Sequence, residues 1–140
     1  VLLMRVDSVP ASVAIAQAIT ESAWGTSRFA VEANNYFGAW CYSQGCGVVP
    51  LQRPEGASYE VKQFDSLNAS VRAYVANINT NAAYKDFRQL RFSIRNNDGF
   101  PSGPELVKTL DHYAQIGGAY VVILQKVMGD YGLAVYDGAS

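Results

Sequence analysis

An almost wholly apolar stretch, residues 11–19, constrains the fold of this chain more than any other feature. Only two polar residues interrupt its alanine, valine and isoleucine side chains. A helix that is apolar on most of its surface is normally buried at the centre of a domain. Ser8 is a suitable N-cap, Pro10 fits the first turn, and Gly25 stands where such a helix would stop. The sequence therefore predicts a central, buried helix.

Glu21 lies close to the predicted end of this helix. Burial and the negative end of the helix dipole both favour the protonated form of a carboxyl group in such a position. A carboxyl group that stays protonated near neutral pH can act as a general acid. From these physical features alone, a helix-end glutamate that reaches solvent or pairs with Arg28 is an equally good interpretation.

The composition predicts one globular domain over residues 1–140. The chain is 49% hydrophobic, which is enough to form a core at this length. Its formal net charge is −1 and it has no run of like charges, which argues against nucleic acid or an anionic membrane surface as a partner. No apolar stretch is long enough to span a bilayer. The first residues do not form a signal peptide and the chain does not begin with methionine, so we expect a mature form or a fragment of a longer chain.

The two cysteines, Cys41 and Cys46, are spaced unlike CxxC redox or zinc pairs, and the single histidine, His112, is distant in sequence. We therefore expect neither a metal site nor a cofactor. A disulfide that closes a small loop through the flexible Gly45 is one interpretation, and two buried free thiols are the other. The disulfide would suit a periplasmic or secreted protein.

The pattern after the first helix predicts a short helix, a hairpin and then further helices. Thr26 is a candidate cap for a helix that ends near Ala33. Residues 34–50 are rich in aromatic side chains and glycine, which predicts an ordered loop. Alternation over residues 58–64 predicts a strand that pairs with residues 48–49 in a hairpin.

The turn of that hairpin would hold residues 53–56, and Glu60 would share one face of the strand with Lys62. Ser66 is a candidate cap for the next helix. Apolar spacing predicts helical segments at residues 67–78, 82–94, 106–113 and 120–131. The side chains expected to face inward include Leu67, Tyr74, Ile78, Phe87, Leu90 and Ile94.

Two sequence blocks, TESAWGTS at residues 20–27 and NNYFG at residues 34–38, resemble the signature of the peptidoglycan N-acetylglucosaminidases of glycoside hydrolase family 73. That family includes the hydrolase domain of the flagellar rod-assembly protein. The chain is most similar to the Bax-type bacterial branch of the family, and the resemblance covers nearly its whole length. The further matching segments are residues 40–41, Cys46, residues 53–56 and residues 77–80.

The resemblance implies a mainly α, lysozyme-like fold with a small β-hairpin lobe and a glycan groove between the two. It implies hydrolysis of the bond from N-acetylglucosamine to N-acetylmuramic acid in peptidoglycan. Glycan strands are then the expected partner, and a monomer is the expected state. Glu21 corresponds to the general acid that protonates the glycosidic oxygen as the bond breaks.

The family often places a second carboxylate in the hairpin, and here Glu55 and Glu60 are the two candidates. The mobile turn position favours Glu55. If neither acts, the acetamido group of the substrate can assist the reaction instead. The family also uses a tyrosine near its C-terminal helices, for which Tyr113 is the first candidate and Tyr120 the next.

Further side chains are candidates for binding the glycan. Tyr36 and Trp40 are the better candidates for stacking against sugar rings, and Asn79 is a candidate for binding substrate amides. The predicted binding set is completed by Asn35, Phe37 and Tyr120. We expect Trp24 to pack in the core beneath the acid, and His112 to be structural.

Two other functions remain open. A lytic transglycosylase also uses a single catalytic glutamate in a lysozyme-like fold, but it forms an anhydro product without water. A catalytically silent wall-binding module is the second alternative. The intact Glu21 and the presence of every motif block argue against a silent module.

Overall fold

The computed structural model describes residues 2–111, 113 and 117–138, and these are mainly α-helical with one small antiparallel sheet. This confirms the predicted mainly α, lysozyme-like class. The α-helices are α1 (Leu2–Arg5), α2 (Ala11–Ser22), α3 (Arg28–Ala33), α4 (Leu67–Thr80), α5 (Lys85–Asn96), α6 (Gly103–Leu106) and α7 (Gly118–Asp130). The strands are β1 (Trp40–Cys41), β2 (Gly47–Val48) and β3 (Glu60–Lys62). Short 3-10 helices cover Ala82–Tyr84, Val107–Thr109 and Leu133–Asp137.

The chain forms two compact units. The first consists of Ala18–Tyr74 and contains α3 and the sheet; the second is made of the segments before and after it. Helices α2 and α4 contribute residues to both units. In the ranges that the structure describes, every helix is too short or too polar to cross a membrane.

Helix α2 is the buried helix that the sequence predicts, because each of its residues is either buried or half-buried. Its N-terminus is held by a carboxylate from the far end of the chain. Asp137 accepts the backbone N–H of Ser12 at 2.8 Å and the Ser12 hydroxyl at 2.6 Å. The same carboxylate accepts the N–H of Gly103 at 2.9 Å, at the start of α6. A Cβ at Gly103 would collide with the Ser12 hydroxyl, so only glycine fits there.

The predicted helix caps have different outcomes. Ser66 accepts the N–H of Ala69 at 3.1 Å, which confirms it as the cap of α4. The prediction of Thr26 as the cap of α3 is wrong by one residue, since Ser27 accepts the N–H of Ala30. The Thr26 hydroxyl instead donates to a carbonyl of the preceding turn.

The inward face of α5 differs from the predicted one. Phe87 is fully buried as expected, but Leu90 and Ile94 are only half-buried. Two arginines, Arg88 and Arg91, are buried in their place. A search for apolar spacing overlooks such positions, since a guanidinium group is buried only where backbone carbonyls are available to accept its hydrogen bonds.

Arg91 donates hydrogen bonds of this kind to carbonyls of the N-terminal segment. Its guanidinium donates to the carbonyl of Met4 at 2.8 Å, to that of Ser8 at 3.0 Å and to Oδ1 of Asn79 at 2.7 Å. Asn79 completes the contact by donating to the carbonyl of Asp7 at 3.0 Å. Burial lowers the pKa of Arg91, and the nearby Asp7 carboxylate partly offsets that effect. The segment before α2 is thus fastened by one buried side chain.

The sheet has the strand order β1-β3-β2, and both pairings are antiparallel. Val48 lies opposite Val61, which confirms the predicted hairpin. Strand β1 is additional: Trp40 also lies opposite Val61, from a segment predicted as loop. Along β3, Glu60 and Val61 are buried and Lys62 is exposed, because the loop between β1 and β2 covers Glu60.

The anchoring role of Arg91 leads to a prediction of stability. Arg91→Met should lower the free energy of unfolding by about 2–4 kcal/mol, since several part-buried acceptors lose their fully buried donor. Arg95→Met is the matched control, because Arg95 binds Asp7 at 2.8 Å with a side chain that is 39% exposed, whereas that of Arg91 is 0% exposed. This control substitution should lower the free energy of unfolding by less than about 1 kcal/mol. Urea unfolding of both variants measures the difference, and equal losses would contradict the assignment.

Candidate active site

Glu21 is the penultimate residue of α2, and its side chain is half-buried. Oε2 of Glu21 lies 3.4 Å from the position that a Cβ would occupy at Gly38, where φ is +74°. A larger residue at Gly38 would therefore adopt an unfavourable backbone conformation beside the carboxylate. Arg28, the partner that the sequence offered for Glu21, pairs with Glu32 at 3.1 Å instead and donates to the carbonyl of Val49.

The turn after Glu21 has three consecutive residues in the left-handed region: Ala23 at φ 49°, Trp24 at 60° and Gly25 at 76°. Such a conformation costs a residue other than glycine on the order of 1 kcal/mol or more. Ser22 is buried and holds the turn, since its hydroxyl accepts the N–H of Gly25 at 2.8 Å and donates to the carbonyl of Ala18.

The expectation that Trp24 packs in the core is wrong, since its side chain is 57% exposed. The helical periodicity that would have directed this ring inward stops at Ser22. The glycine at position 25 is the sequence signal for this turn, because helices commonly end near a left-handed glycine.

Asn35 organises the loop that carries Gly38. Its Oδ1 accepts the N–H groups of Gly38 at 2.9 Å and Ala39 at 3.2 Å. Its Nδ2 donates to the carbonyls of Ala39 at 2.9 Å and Lys62 at 2.8 Å. The side chain is buried and its amide makes four internal bonds. This placement gives Asn35 a structural role, and its predicted contact with substrate stays a prediction.

The aromatic candidates of this unit divide into buried and exposed groups. Phe37 is buried and stacks on Tyr74 with ring centroids 4.1 Å apart, so it shapes the loop. Trp40 is 52% exposed and stacks on Tyr59 at 4.1 Å, with the two planes 9° apart. Tyr36 is half-buried. Trp40 and Tyr59 form a flat pair at the sheet, which we call the aromatic pair.

Cys41 and Cys46 form a disulfide with a Cα–Cα distance of 6.3 Å, which confirms that prediction. The loop that it closes is also held by Glu60. One carboxylate oxygen of Glu60 accepts the N–H of Gly45 and the other that of Gly47, both at 2.9 Å. These bonds, first that of Gly45 and then that of Gly47, hold the pKa of Glu60 below its usual value. Glu55 is exposed in the connection between β2 and β3.

The lowered pKa of Glu60 predicts how stability depends on pH. Since the pKa in the folded state lies below the ordinary value of 4.5, the ionised carboxylate stabilises the protein fully above that value. This contribution is lost as the pH falls through the lowered folded-state pKa. Glu60→Gln should therefore be less stable than wild type at pH 7, and the difference should shrink toward pH 3.

Denaturant unfolding at pH 7, 5 and 3, with the disulfide intact in both proteins, measures that difference. Glu32→Gln is the control, because Glu32 lies in an exposed i,i+4 pair with Arg28 and such pairs contribute little. A Glu60→Gln variant as stable as wild type at pH 7 would show that the two N–H bonds do not hold the loop.

The remaining candidates lie in the second unit. Tyr120 is buried and receives a hydrogen bond from the Gln17 amide at 3.1 Å. Tyr113 is half-buried and stacks on Tyr120 with a centroid distance of 5.6 Å. It also contacts Tyr84, with centroids 5.7 Å apart and the two ring planes tilted by 38°. Asn79 uses both ends of its amide in the contacts with Arg91 and the N-terminal segment. The predicted structural role of His112 lies outside the described residues.

The helical fold, with a half-buried carboxylate at the end of a buried helix, is that of a lysozyme-like domain. A model of the glucosaminidase family, described as mannosyl-glycoprotein endo-beta-N-acetylglucosaminidase, matches residues 2–131. The chain therefore belongs to the glucosaminidase family, glycoside hydrolase family 73. Membership supports a glycosidase function of the type that acts on peptidoglycan.

The chain is also similar to the protein Bax of Escherichia coli (strain K12). The two are 38% identical over 119 residues, which is 85% of this chain and 42% of Bax. The chain thus spans less than half the length of that relative. No solved structure matches the chain.

Proposed function

We propose that this domain hydrolyses the bond from N-acetylglucosamine to N-acetylmuramic acid in peptidoglycan, with Glu21 as general acid. The observation that carries the proposal is the close approach of Gly38 to Glu21. The two sequence blocks that resemble the family signature are separate in the chain, and they meet at this carboxylate. A loop glycine beside the acid leaves room for the glycosidic oxygen of a bound glycan.

Glu21 would donate its proton to the glycosidic oxygen while positive charge develops on the departing sugar ring. Of the two candidates for a second carboxylate, Glu55 suits the role better. Its side chain is exposed, whereas both oxygens of Glu60 are engaged by backbone N–H groups of the disulfide loop. If Glu55 is not required, the acetamido group of the substrate takes this role and Tyr113 could orient it.

Exposed aromatic side chains supply faces for sugar rings. The aromatic pair offers one such face, since the Trp40 ring is half exposed and stacks on that of Tyr59. Trp24 offers another, three residues after the acid, where the left-handed turn holds its ring at the surface. Aromatic side chains give large contact areas at low entropic cost, which suits the binding of a polymer.

The disulfide supports a location in the cell envelope, either periplasmic or secreted, because such bonds persist in oxidising compartments. Peptidoglycan lies in the same location. We therefore propose that the domain acts outside the cytoplasm.

Replacement of the acid tests the proposal directly. Glu21→Gln should retain the fold and lose hydrolysis of purified peptidoglycan by about 10²–10⁴-fold, because an amide cannot donate the proton. Glu32→Gln is the control for the loss of one surface carboxylate. Borohydride reduction and mass spectrometry of the products identify the new end: reduced N-acetylglucosamine supports the proposal, while an anhydro sugar would indicate a lytic transglycosylase. A variant with more than about a tenth of wild-type activity would overturn the assignment of Glu21.

Replacement of the second carboxylate is a separate prediction. Glu55→Gln should lower kcat by about 10²-fold, and the melting temperature should stay within about 2 °C, as is usual for surface changes. The measurement is initial rate on the same peptidoglycan, with Glu32→Gln again as control. Full activity of Glu55→Gln would indicate that the acetamido group of the substrate, and not Glu55, takes the role of the second carboxylate. Tyr113→Phe would then be expected to slow turnover.

A further inference from the structure

The disulfide loop and the hairpin connection border an open cleft, with both polar and apolar lining, that the proposed chemistry does not use. Its free volume is about 300 Å³, at the lower end of the range for small-ligand sites. The cleft is lined by Tyr42, Gln44, Val49, Arg53, Ser58 and Glu60. It belongs to the same compact unit as Glu21.

Arg53 gives the cleft its chemical character. Its Nη1 donates to the carbonyl of Tyr59 at 3.1 Å, which fixes the guanidinium at the cleft wall. A guanidinium has five N–H donors in a planar fork that matches a carboxylate. Gln44 and Ser58 add an amide and a hydroxyl to the same wall. The set is suited to a ligand that carries a carboxylate and peptide groups.

Among the described residues that line this cleft, the one acidic side chain is that of Glu60. Its two oxygens accept the N–H groups of Gly45 and Gly47, so its negative charge is compensated within the loop. Arg53 also acts on it electrostatically. The loop thus holds a buried anion beside Arg53 while the guanidinium fork keeps further donors for a ligand.

The sheet connects the cleft to the acid. Gly38 lies beside Glu21, and Cys41, three residues further on, is opposite Glu60 in the pairing of β1 with β3. Three residues span at most about 11 Å. A ligand in the cleft would therefore be close to a glycan bound at Glu21.

We infer that this cleft binds the peptide stem that hangs from the muramic acid residues of the glycan, with Arg53 on a stem carboxylate. The inference rests on the proposed function, since it concerns the substrate of the same site. In peptidoglycan the sugar backbone is largely neutral and the peptide stems carry most of the carboxylates. The cleft therefore sets a preference for strands that still bear peptides.

The first test compares two substrates: glycan strands with peptides, and the same strands after removal of the peptides by an amidase. Wild type should show the higher kcat/KM on peptide-bearing strands. Arg53→Gln should lower the ratio of the two kcat/KM values by about three- to tenfold, the range of one charge-assisted contact at a partly exposed site. Arg53→Lys should lower the ratio less, because lysine keeps the positive charge although it lacks the planar fork of N–H donors. The ratio is insensitive to a partial loss of folded protein, since one preparation is used on both substrates.

The matched control is Arg72→Gln, which removes the same charge from an exposed position of α4 outside the cleft. It should leave the ratio unchanged. Because peptide-free strands retain the lactyl carboxylate of muramic acid, the comparison also separates the peptide from the sugar's own acid group. An unchanged ratio in Arg53→Gln, or an equal change in Arg72→Gln, would overturn the inference.

The second test does not require hydrolysis. The free tripeptide L-alanyl-γ-D-glutamyl-meso-diaminopimelate is titrated into wild type and Arg53→Gln, and binding is followed by NMR chemical shifts. We expect a Kd about three- to tenfold higher for the variant, with the shifts confined to the cleft. Equal Kd values, or no binding to wild type, would overturn the inference even if hydrolysis is observed. Binding at the cleft without hydrolysis of either strand would instead show that the proposed function fails while the peptide site stands.

Discussion

The loop that brings Gly38 to Glu21 depends on the side-chain amide of Asn35. Four hydrogen bonds from this one buried group satisfy two N–H groups and two carbonyls of an irregular segment. Buried backbone groups outside helices and sheets need partners of this kind. One of the four bonds reaches Lys62 in β3, so the amide also ties the loop to the sheet. The surroundings of Glu21 are thus set by a polar network as much as by the helix that carries it.

Three glutamates of the same compact unit lie in three different environments. Glu21 is half-buried at a helix end, Glu55 is exposed in a connection, and Glu60 is buried and bonded to backbone N–H groups. Environment decides what a carboxyl group can do, since burial favours the neutral form and N–H donors favour the ionised form. By this contrast Glu21 is the candidate acid and Glu55 the candidate second carboxylate, whereas Glu60 holds the disulfide loop.

The elements predicted from sequence are those whose cause is local. The apolar run of α2, the Ser66 cap, the hairpin and the disulfide all depend on neighbouring residues, and the structure contains each of them. Two of the features that were missed depend on distant partners. Asp137 caps a helix 125 positions earlier in the chain, and Arg91 bonds carbonyls that are more than 80 positions away. Local periodicity carries no information about such contacts.

The turn after Glu21 was missed for a different reason, since its cause is local. The resemblance to a family indicated Glu21 as the candidate acid, but it did not indicate that Trp24, three residues later, is exposed. That exposure follows from backbone conformation: Ala23 and Trp24 adopt left-handed values that only Gly25 adopts at little cost. Strain of this kind persists where surrounding bonds enforce it, and here Ser22 does so through Ala18 and Gly25. By ending α2 abruptly, the turn fixes both the position of the Glu21 carboxylate and the exposure of the Trp24 ring, so a relaxed turn would displace the two together.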